Sequence, residues 1–356
     1  MRISTAVSFL CVNRLLLFLI IFFPQMAVSA EKDNAVKWQH AASLPYRVQE
    51  IYPLIFQGHI IVAGGLSPDV DQNGIDVSDR VVAYSLEDKT WFDMPTLPQP
   101  RHHPMLTVVN DRLLSFGGFI MDEQGMWHNS RDVLEWMPGE INNEKSSLLQ
   151  GHWQKIASLP APLSETLAVV NEGQVHLVSG RTPAKPEQNS QWNHQKDVAT
   201  HYVFDPNNLQ FEQKAAVPTA RNSACSVKLN GYWHTIAGRT VSGGNLASHE
   251  VYDFVKDIWI AKAPLPDAQG GLACAVIEQH IYVFGGEYFD NGGGVYSTVW
   301  QYTNATDSWR AVSEMPLPRH GLGAISHKNR IYIIGGALQA GGVQTSDAMT
   351  VFSLQH

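Results

Sequence analysis

Cysteine is scarce in this 356-residue sequence, which contains only three cysteines beside fifteen scattered histidines. It has no Cys-x-x-Cys and no His-Glu-x-x-His, the spacings that bind zinc. His102 and His103 are adjacent, but neighbouring residues on a strand point to opposite faces, so both could bind one ion only across a bulge. The sequence therefore gives no indication of a zinc enzyme.

Long apolar runs are also missing, apart from one near the N-terminus. Arg2 and Arg14 provide positive charge, residues 15–23 are apolar, and residues 28–30 have the small-residue form of a cleavage site. The apolar run is short for a membrane span, so residues 1–30 are predicted to be a signal peptide, with a retained N-terminal anchor as the alternative. Cleavage would remove Cys11 and release a periplasmic or secreted protein.

Positive charge is in deficit as well. The mature chain would contain 23 basic residues against 33 acidic ones, a formal charge of −10. Such a balance disfavours nucleic acid as a partner. We expect residues 31–356 to form one domain, a monomer that does not insert into a membrane after signal cleavage.

A unit of hydrophobic strand, tight turn, hydrophobic strand and small-residue–glycine pair occurs six times. The units end at the following glycines: Gly65, Gly118, Gly180, Gly238, Gly286 and Gly336. Asn230-Gly231 is the strongest of the turn signals, because a type I′ turn needs positive φ at both positions. A third strand with an aromatic residue follows each unit, and then a fourth that begins near a tryptophan. This pattern predicts an all-β, six-bladed β-propeller.

The paired glycines, the Tyr252-Asp253 type of dipeptide and the spaced tryptophans resemble the Kelch repeat, over residues 36 to 354. The resemblance implies a Kelch-type propeller. Trp38 has no preceding strands of its own, and the last repeat stops at Ser353 after its third strand. We therefore expect the N-terminal strand to close the last blade and to protect its edge.

Cys225 and Cys274 lie inside the first strands of neighbouring repeats. A shift of 48 residues aligns Cys225 with Ala273, so Cys274 stands one position further along its strand than Cys225 does. The two side chains therefore lie on opposite faces of their sheets. We expect their side chains to point apart and to form no disulfide. As small core residues, they also disfavour a copper radical oxidase, which needs a cysteine cross-linked to a tyrosine.

The start of each first strand and the end of each second strand should meet at one mouth of the channel. Six of the eleven arginines of the mature chain fall in these places, together with Glu165, Glu287, His102 and His320. The six arginines and two glutamates give this mouth a formal charge of +4. The predicted ligand-binding residues are Arg181, Arg239, Arg47, Arg101, Arg221, Arg319, His102 and His320.

An arginine-rich mouth suits an anionic ligand, because a guanidinium binds a carboxylate through two parallel hydrogen bonds. A sugar acid, an acidic glycan and an acidic peptide all fit. The arginine after each proline also belongs to the Kelch pattern, in which it ties blades to backbone carbonyls, so a structural role is the alternative for Arg47, Arg101, Arg221 and Arg319.

Two functions follow: a binding propeller without catalysis, or a sugar-acid mutarotase. Gly286-Glu287 is similar to the pair that carries the carboxylate of the bacterial N-acetylneuraminate epimerases, which implies Glu287 as a catalytic residue. Ring opening of a sugar acid needs a base and an acid. The epimerases have an arginine six residues later, where this chain has Gly293, and their N-terminal segment is missing.

Asp69, Asp71 and Asn73, followed by Gly74, repeat the opening of a calcium loop. Position 12 of that pattern is Arg80 rather than glutamate. A structural calcium ion and a plain acidic turn remain the two interpretations, and we expect no other cofactor.

Overall fold

A computed structural model describes Met1 and residues 35–71, 74–139, 144–185 and 194–355 of the chain. Two units are distinguished, Met1–Asn34 and Ala35–His356. The predicted signal peptide lies outside the described residues except for Met1. Within the described part, no helix is long and apolar enough to cross a membrane.

Six antiparallel sheets of four strands, blades 1 to 6, make up the second unit in the described part of the chain. The first strands of successive blades contact one another and line the axis. They are Leu54–Phe56, Met105–Val109, Leu167–Asn171, Cys225–Leu229, Ala273–Ile277 and Gly323–His327. The second strands are His59–Ala63, Arg112–Phe116, Gln174–Val178, Tyr232–Ile236, His280–Phe284 and Arg330–Ile334.

The two outer strands of each blade follow the predicted aromatic pattern. The third strands are Val81–Ser85, Asp132–Met137, His201–Asp205, His249–Asp253, Thr298–Thr303 and Met349–Gln355. The fourth strands are Trp91–Met94, His152–Ser158, Gln210–Lys214, Ile258–Lys262, Ser308–Glu314 and Ala35–His40. The prediction of an all-β, six-bladed propeller is confirmed.

The N-terminal strand closes blade 6, as predicted. Ala35–His40 pairs antiparallel with the third strand of that blade, with Trp38 opposite Phe352. The Trp38 ring lies 5.3 Å from that of Phe352 and 6.2 Å from that of Phe284 in blade 5. Strand pairing and aromatic packing together hold the two ends of the propeller.

Short hairpins extend from the loops between second and third strands. Their strands are Leu66–Asp71 with Gly74–Val77, Phe119–Met121 with Arg101–His102 and Trp127–Asn129, Arg181–Pro183 with Gln195–Asp197, and Glu287–Tyr288 with Gly294–Val295. A helix, Glu144–Gln150, and a 3-10 turn, Asp290–Gly292, complete the described elements.

The apolar core lies in layers between neighbouring blades. On the first strand of blade 5, Ala273 and Ala275 pack against blade 6, whereas Cys274 packs in the layer shared with blade 4. Alternate residues of one strand therefore face opposite neighbours, as the period of two requires.

The prediction that no disulfide forms is wrong. Cys225 and Cys274 are bonded, with their Cα atoms 5.7 Å apart. Neighbouring blades stack face to face, so the residue of one blade that points forward meets the residue of the next blade that points back. These two residues lie on opposite faces of their own sheets. The opposite orientations that were expected to separate the two side chains thus bring them together.

Candidate functional site

One residue at the start of each first strand has a left-handed backbone. These six residues have φ between 48° and 70°: Glu50, His103, Glu165, Ser223, Gly271 and Gly321. Several are linked around the axis by backbone hydrogen bonds, such as Glu50 N–H to Gly321 O at 2.7 Å and Gly321 N–H to Gly271 O at 2.9 Å. We call these six residues the axial ring.

Three of the axial ring residues carry side chains that titrate. A non-glycine residue with positive φ is uncommon and costs on the order of 1–3 kcal/mol. Glu50, His103 and Glu165 accept this strain at adjacent positions, one each in blades 1 to 3. Such clustering of strained, titratable residues indicates a functional role for the ring.

The residue before each ring position pairs with the residue after each glycine pair. Ser164 bridges to Arg181, Asn222 to Arg239 and Gly270 to Glu287. The two residue sets therefore meet on one face of the propeller, as the strand directions predicted.

A cavity of about 840 Å³ occupies this mouth. Its lining includes five of the predicted site residues: Arg181, Arg239, Glu287, His102 and His320. Glu50, His103 and Glu165 of the axial ring also line it, as do Trp127, Tyr288, Phe289 and Tyr296. Polar groups converge here beside aromatic side chains, which is typical of a small-molecule site.

Three predicted ligand-binding arginines do not line the cavity. Arg101, Arg221 and Arg319 are almost completely buried. Arg101 donates from Nη1 to Gly117 O at 2.7 Å, Arg221 to Ala237 O at 3.1 Å, and Arg319 from Nη2 to Ile333 O at 3.2 Å. Each ties the start of its own blade to the end of the second strand, which is a structural role within one blade and not the expected tie between neighbouring blades.

Arg47 is half-exposed outside the cavity and pairs with Asp69. The Asp69 carboxylate accepts hydrogen bonds from the Arg47 backbone N–H at 2.8 Å and from its Nε at 3.0 Å. Asn73 lies outside the described residues. No cluster of three or more His, Cys, Asp or Glu with metal-binding geometry occurs in the described part of the chain. The calcium site stays a prediction.

The charge of the mouth differs from the sequence-based expectation. Arg181 pairs with Glu165, and Arg239 pairs with Glu287. With Glu50 and Asp290, four carboxylates line the cavity beside two guanidiniums, so the expected ring of charge +4 is corrected to a mixed cluster in which carboxylates outnumber guanidiniums. Because both pairs are buried, removal of one partner would leave the charge of the other buried and uncompensated.

Glu287 is held by several donors. Its Oε2 accepts the backbone N–H of Gly341 at 2.8 Å and lies 3.4 Å from His320 Nδ1, while Oε1 pairs with Arg239. Asn245 Nδ2 donates to the Glu287 carbonyl at 2.6 Å and fixes the backbone. Burial opposes the charge of Arg239, but Glu165, Glu287 and Glu50 outweigh it and raise the pKa of this guanidinium.

Glu50 was not predicted as a site residue. Its Oε2 lies 2.6 Å from His103 Nε2, which also lies 3.7 Å from Glu165 Oε1. Burial disfavours the carboxylate, yet His103, His320 and Arg239 hold the pKa of Glu50 below its usual range. Burial likewise opposes ionisation of Glu165, while Arg181, His103 and Arg239 lower its pKa.

An alignment of the repeats places Glu50 at the same position as His103, but it does not mark that position as part of a site. Glu50 stands 53 residues before His103, the same step that separates Gly65 from Gly118. The position two residues after the conserved place of the blade arginine carries no side-chain pattern of its own. Only the backbone conformation shows that six such residues meet at the axis.

His102 lies in the cavity wall and is 1% exposed. Its ring stacks on Phe119 at 4.7 Å and contacts Trp127 at 4.4 Å. Nδ1 lies 2.8 Å from Nδ1 of His103, and Nε2 has no hydrogen-bond partner among the described residues. Burial and the charge of His103 lower the pKa of His102 well below its ordinary value, so the ring is neutral.

Comparisons with known proteins agree with this architecture. The Kelch motif family matches residues 270–316. Kelch-like protein terF of Aspergillus terreus is 23% identical over 310 residues, covering 86% of this chain and 64% of that protein. Kelch-like protein 35 of Mus musculus is 26% identical over 293 residues, covering 82% of this chain and 44% of that protein. The chain thus spans only part of the length of these relatives.

A solved structure, the structure of YjhT, has the same fold. It superposes with a TM-score of 0.71 at 17% identity, covering 87% of this chain and 99% of that chain. At this identity the likeness concerns the fold. The described residues thus form a six-bladed β-propeller that contains a Kelch motif at residues 270–316 and is similar in sequence to Kelch-like proteins.

Proposed function

We propose that the cavity binds a small sugar acid and that Glu287 catalyses its anomer exchange, which would make the protein a mutarotase. The observation that carries the proposal is the placement of Glu287. This carboxylate is 2% exposed, is held by Arg239 and the Gly341 N–H, and lines a cavity of about 840 Å³. Buried carboxylates in clefts with specific charge partners are typical of acid–base sites.

The cavity favours a small molecule over a polymer. Its volume, about 840 Å³, lies in the range of small-ligand pockets. The axial ring, whose members are joined by backbone hydrogen bonds, contributes three side chains to its lining. Trp127, Tyr288 and Tyr296 offer flat apolar surfaces for the C–H faces of a sugar ring, and Arg181 and Arg239 supply guanidinium groups for a carboxylate.

Exchange of anomers requires the cyclic sugar to open. A base takes the proton of the anomeric hydroxyl, its oxygen forms the carbonyl, and the ring oxygen leaves with a proton from an acid. Glu287 lines the cavity, where Arg239 and the Gly341 N–H fix the position of its carboxyl group, so it suits the base. The resemblance of Gly286-Glu287 to the N-acetylneuraminate epimerase pair supports this assignment.

A binding propeller without catalysis is the second candidate. Both cavity guanidiniums are paired with buried carboxylates. In a binding protein these pairs would shape the site without taking part in catalysis. In that case the same sugar acids would bind without any change in their rate of anomer exchange.

We also propose that residues 1–30 direct export to the periplasm or the medium. The disulfide between Cys225 and Cys274 supports an oxidising compartment. Mass spectrometry of the protein isolated from its native host should show Glu31 as the first residue. An intact Met1 on the mature protein would contradict export by cleavage.

Proton NMR of freshly dissolved N-acetylneuraminate tests the function. The wild-type protein should accelerate anomer exchange, and Glu287→Gln should reduce kcat at least ~100-fold with little change in affinity. Arg239→Lys should weaken binding, because the two-pronged hydrogen bonding is lost although the charge stays. Arg47→Lys, outside the cavity, is the matched control and should behave as wild type.

The outcomes separate the candidates. Binding without acceleration would support the binding propeller and overturn the mutarotase. Neither binding nor acceleration with any sugar acid tried would show that the cavity serves another class of ligand.

A further inference from the structure

In each blade, one residue on the returning segment of the mouth loop lies opposite the residue that follows the glycine pair. We call these six the facing residues: Val77, Asn129, Asp197, Asn245, Val295 and Thr345. Those of blades 2 to 4 have amide or carboxylate side chains, whereas the others are two valines and a threonine. We propose that Asn129, Asp197 and Asn245 are positioning residues, each of which holds the cavity residue of the next blade. The inference rests on the proposed function, which gives those cavity residues their roles.

Asn129 of blade 2 holds the backbone of Arg181 in blade 3. Its Nδ2 donates to the Arg181 carbonyl at 3.3 Å and to Ser164 Oγ at 2.9 Å. Ser164 in turn exchanges two backbone hydrogen bonds with Arg181, at 2.8 and 3.0 Å. Asn129 is buried, so the loss of its donor would leave the Arg181 carbonyl with a costly unmade hydrogen bond.

Asp197 of blade 3 holds the two segments that flank Arg239 in blade 4. Its Oδ1 accepts from Asn222 Nδ2 at 2.5 Å, and its Oδ2 accepts from the Val241 backbone N–H at 2.7 Å. Asn222 exchanges two backbone hydrogen bonds of 2.9 Å with Arg239, and Val241 follows Arg239 by two residues. A carboxylate only accepts hydrogen bonds, so one side chain satisfies both donors and fixes the Arg239 backbone from two sides.

Asn245 of blade 4 makes the third contact of this kind, with Glu287 in blade 5. Its Nδ2 donates to the Glu287 carbonyl at 2.6 Å, while the Glu287 N–H donates to Gly270 O at 2.8 Å. Both backbone polar groups of Glu287 are therefore bonded. Since Arg239 and the Gly341 N–H hold the carboxyl group, the side chain of Glu287 is fixed at both ends.

These contacts coincide with the blades that present charge to the cavity. Val77 and Val295 have no polar side-chain atom, and Thr345 Oγ1 has no hydrogen-bond partner in the described part of the chain. The residues after the glycine pairs of the blades that follow these three are uncharged: Phe119, Ala337 and Leu66. Cohesion between blades alone would not require polar contacts to precede only charged residues, so the coincidence indicates that the contacts serve the cavity.

Amide hydrogen exchange, measured by NMR, tests the contacts without any ligand. Asp197→Ala should speed exchange of the Arg239 amide about 5- to 10-fold, and Asn245→Ala should do the same for the Glu287 amide, because each loses a hydrogen bond that holds it closed. Unchanged exchange of both amides would overturn the proposal. Asp197→Asn keeps the shape of the side chain but removes one acceptor, so it serves if the alanine variant does not fold.

Kinetics and binding of N-acetylneuraminate test what the contacts do for the site. Asn245→Ala should lower kcat for anomer exchange about 10- to 100-fold with little change in affinity, because small displacements of a reacting group are that costly. Asp197→Ala should instead raise the dissociation constant about 10-fold with a smaller change in kcat, because the guanidinium of Arg239 then no longer matches the ligand carboxylate. Asn129→Ala should weaken binding in the same way through Arg181. A loss of stability alone would not divide kcat from affinity in this manner.

Thr345→Val is the matched control, because Thr345 is the facing residue of blade 6, does not line the cavity and precedes the uncharged Leu66. Its kcat, its affinity and the exchange of its Leu66 amide should equal those of wild type. Losses of equal size in the control and in the other variants would overturn the positioning role. A wild-type protein that neither binds nor converts a sugar acid would overturn the proposed function instead, and the exchange rates would then decide whether the contacts hold Arg239 and Glu287.

Discussion

Breaking the disulfide between Cys225 and Cys274 should lower the free energy of unfolding by about 4 kcal/mol. The bond closes a loop with a sequence separation of 49 residues. In the chain-entropy description, a loop of this length removes roughly 14 cal/mol/K from the unfolded state, or about 4 kcal/mol at 25 °C. Both sulfur atoms lie in the apolar layer between blades 4 and 5, where reduced thiols would still pack.

Urea unfolding of the oxidised and the fully reduced protein measures this difference. Tryptophan fluorescence and circular dichroism should give coincident transitions, so that a two-state free energy applies. The double variant Cys225→Ala with Cys274→Ala should resemble the reduced protein. Equal midpoints for oxidised and reduced protein, with the bond verified by mass, would refute the reasoning.

Three further predictions concern stability. Lowering the pH from 7 to 5 should reduce the free energy of unfolding by about 2 kcal/mol for each of His201 and His234. Burial lowers the pKa of each from 6.5 to about 4, whereas the unfolded chain takes up these protons near pH 6.5. A urea midpoint that stays constant between pH 7 and 5 would contradict this. Deleting residues 35–42 should expose the edge of blade 6 and cause aggregation, which light scattering would detect and a monodisperse variant would disprove. If Asp69, Asp71 and Asn73 bind calcium, millimolar calcium should raise the Tm of wild type but not of Asp71→Ala, whereas identical curves with calcium and chelator would exclude the site.

The sequence was sufficient for the fold because every blade repeats the same local signals. Turn residues, paired glycines and spaced tryptophans each have a local cause, and six copies agree. The closing role of the strand around Trp38 followed from counting strands at the two ends. The disulfide could not be judged in this way, because it depends on how neighbouring sheets stack and not on one strand.

The candidate site was predictable only in part. Arg181, Arg239 and Glu287 depart from the repeat, and the strand directions placed them correctly at one mouth. The side chains of Arg101, Arg221 and Arg319 turn into their own blades, which position in the repeat does not show. Pairing of the cavity arginines with carboxylates required the three-dimensional contacts, since Arg239 and Glu287 are 48 residues apart.

The asymmetry of the axial ring explains why a cavity with this chemistry exists at all. Blades 1 to 3 place charged or titratable side chains at the ring, whereas Gly271 and Gly321 place none. A Cβ atom at Gly321 would lie 2.8 Å from Glu50 Oε1, but one at Gly271 would meet its nearest neighbours at 3.6 Å, an ordinary contact.

Gly321→Ala and Gly271→Ala therefore form a matched pair. Both put alanine at a similar positive φ and should each lose roughly 1–2 kcal/mol of stability. Only Gly321→Ala should displace the Glu50 carboxylate, weaken its contact with His103 and lower anomer exchange. Equal losses of anomer exchange in the two variants would show that backbone strain, and not the room beside Glu50, causes the loss.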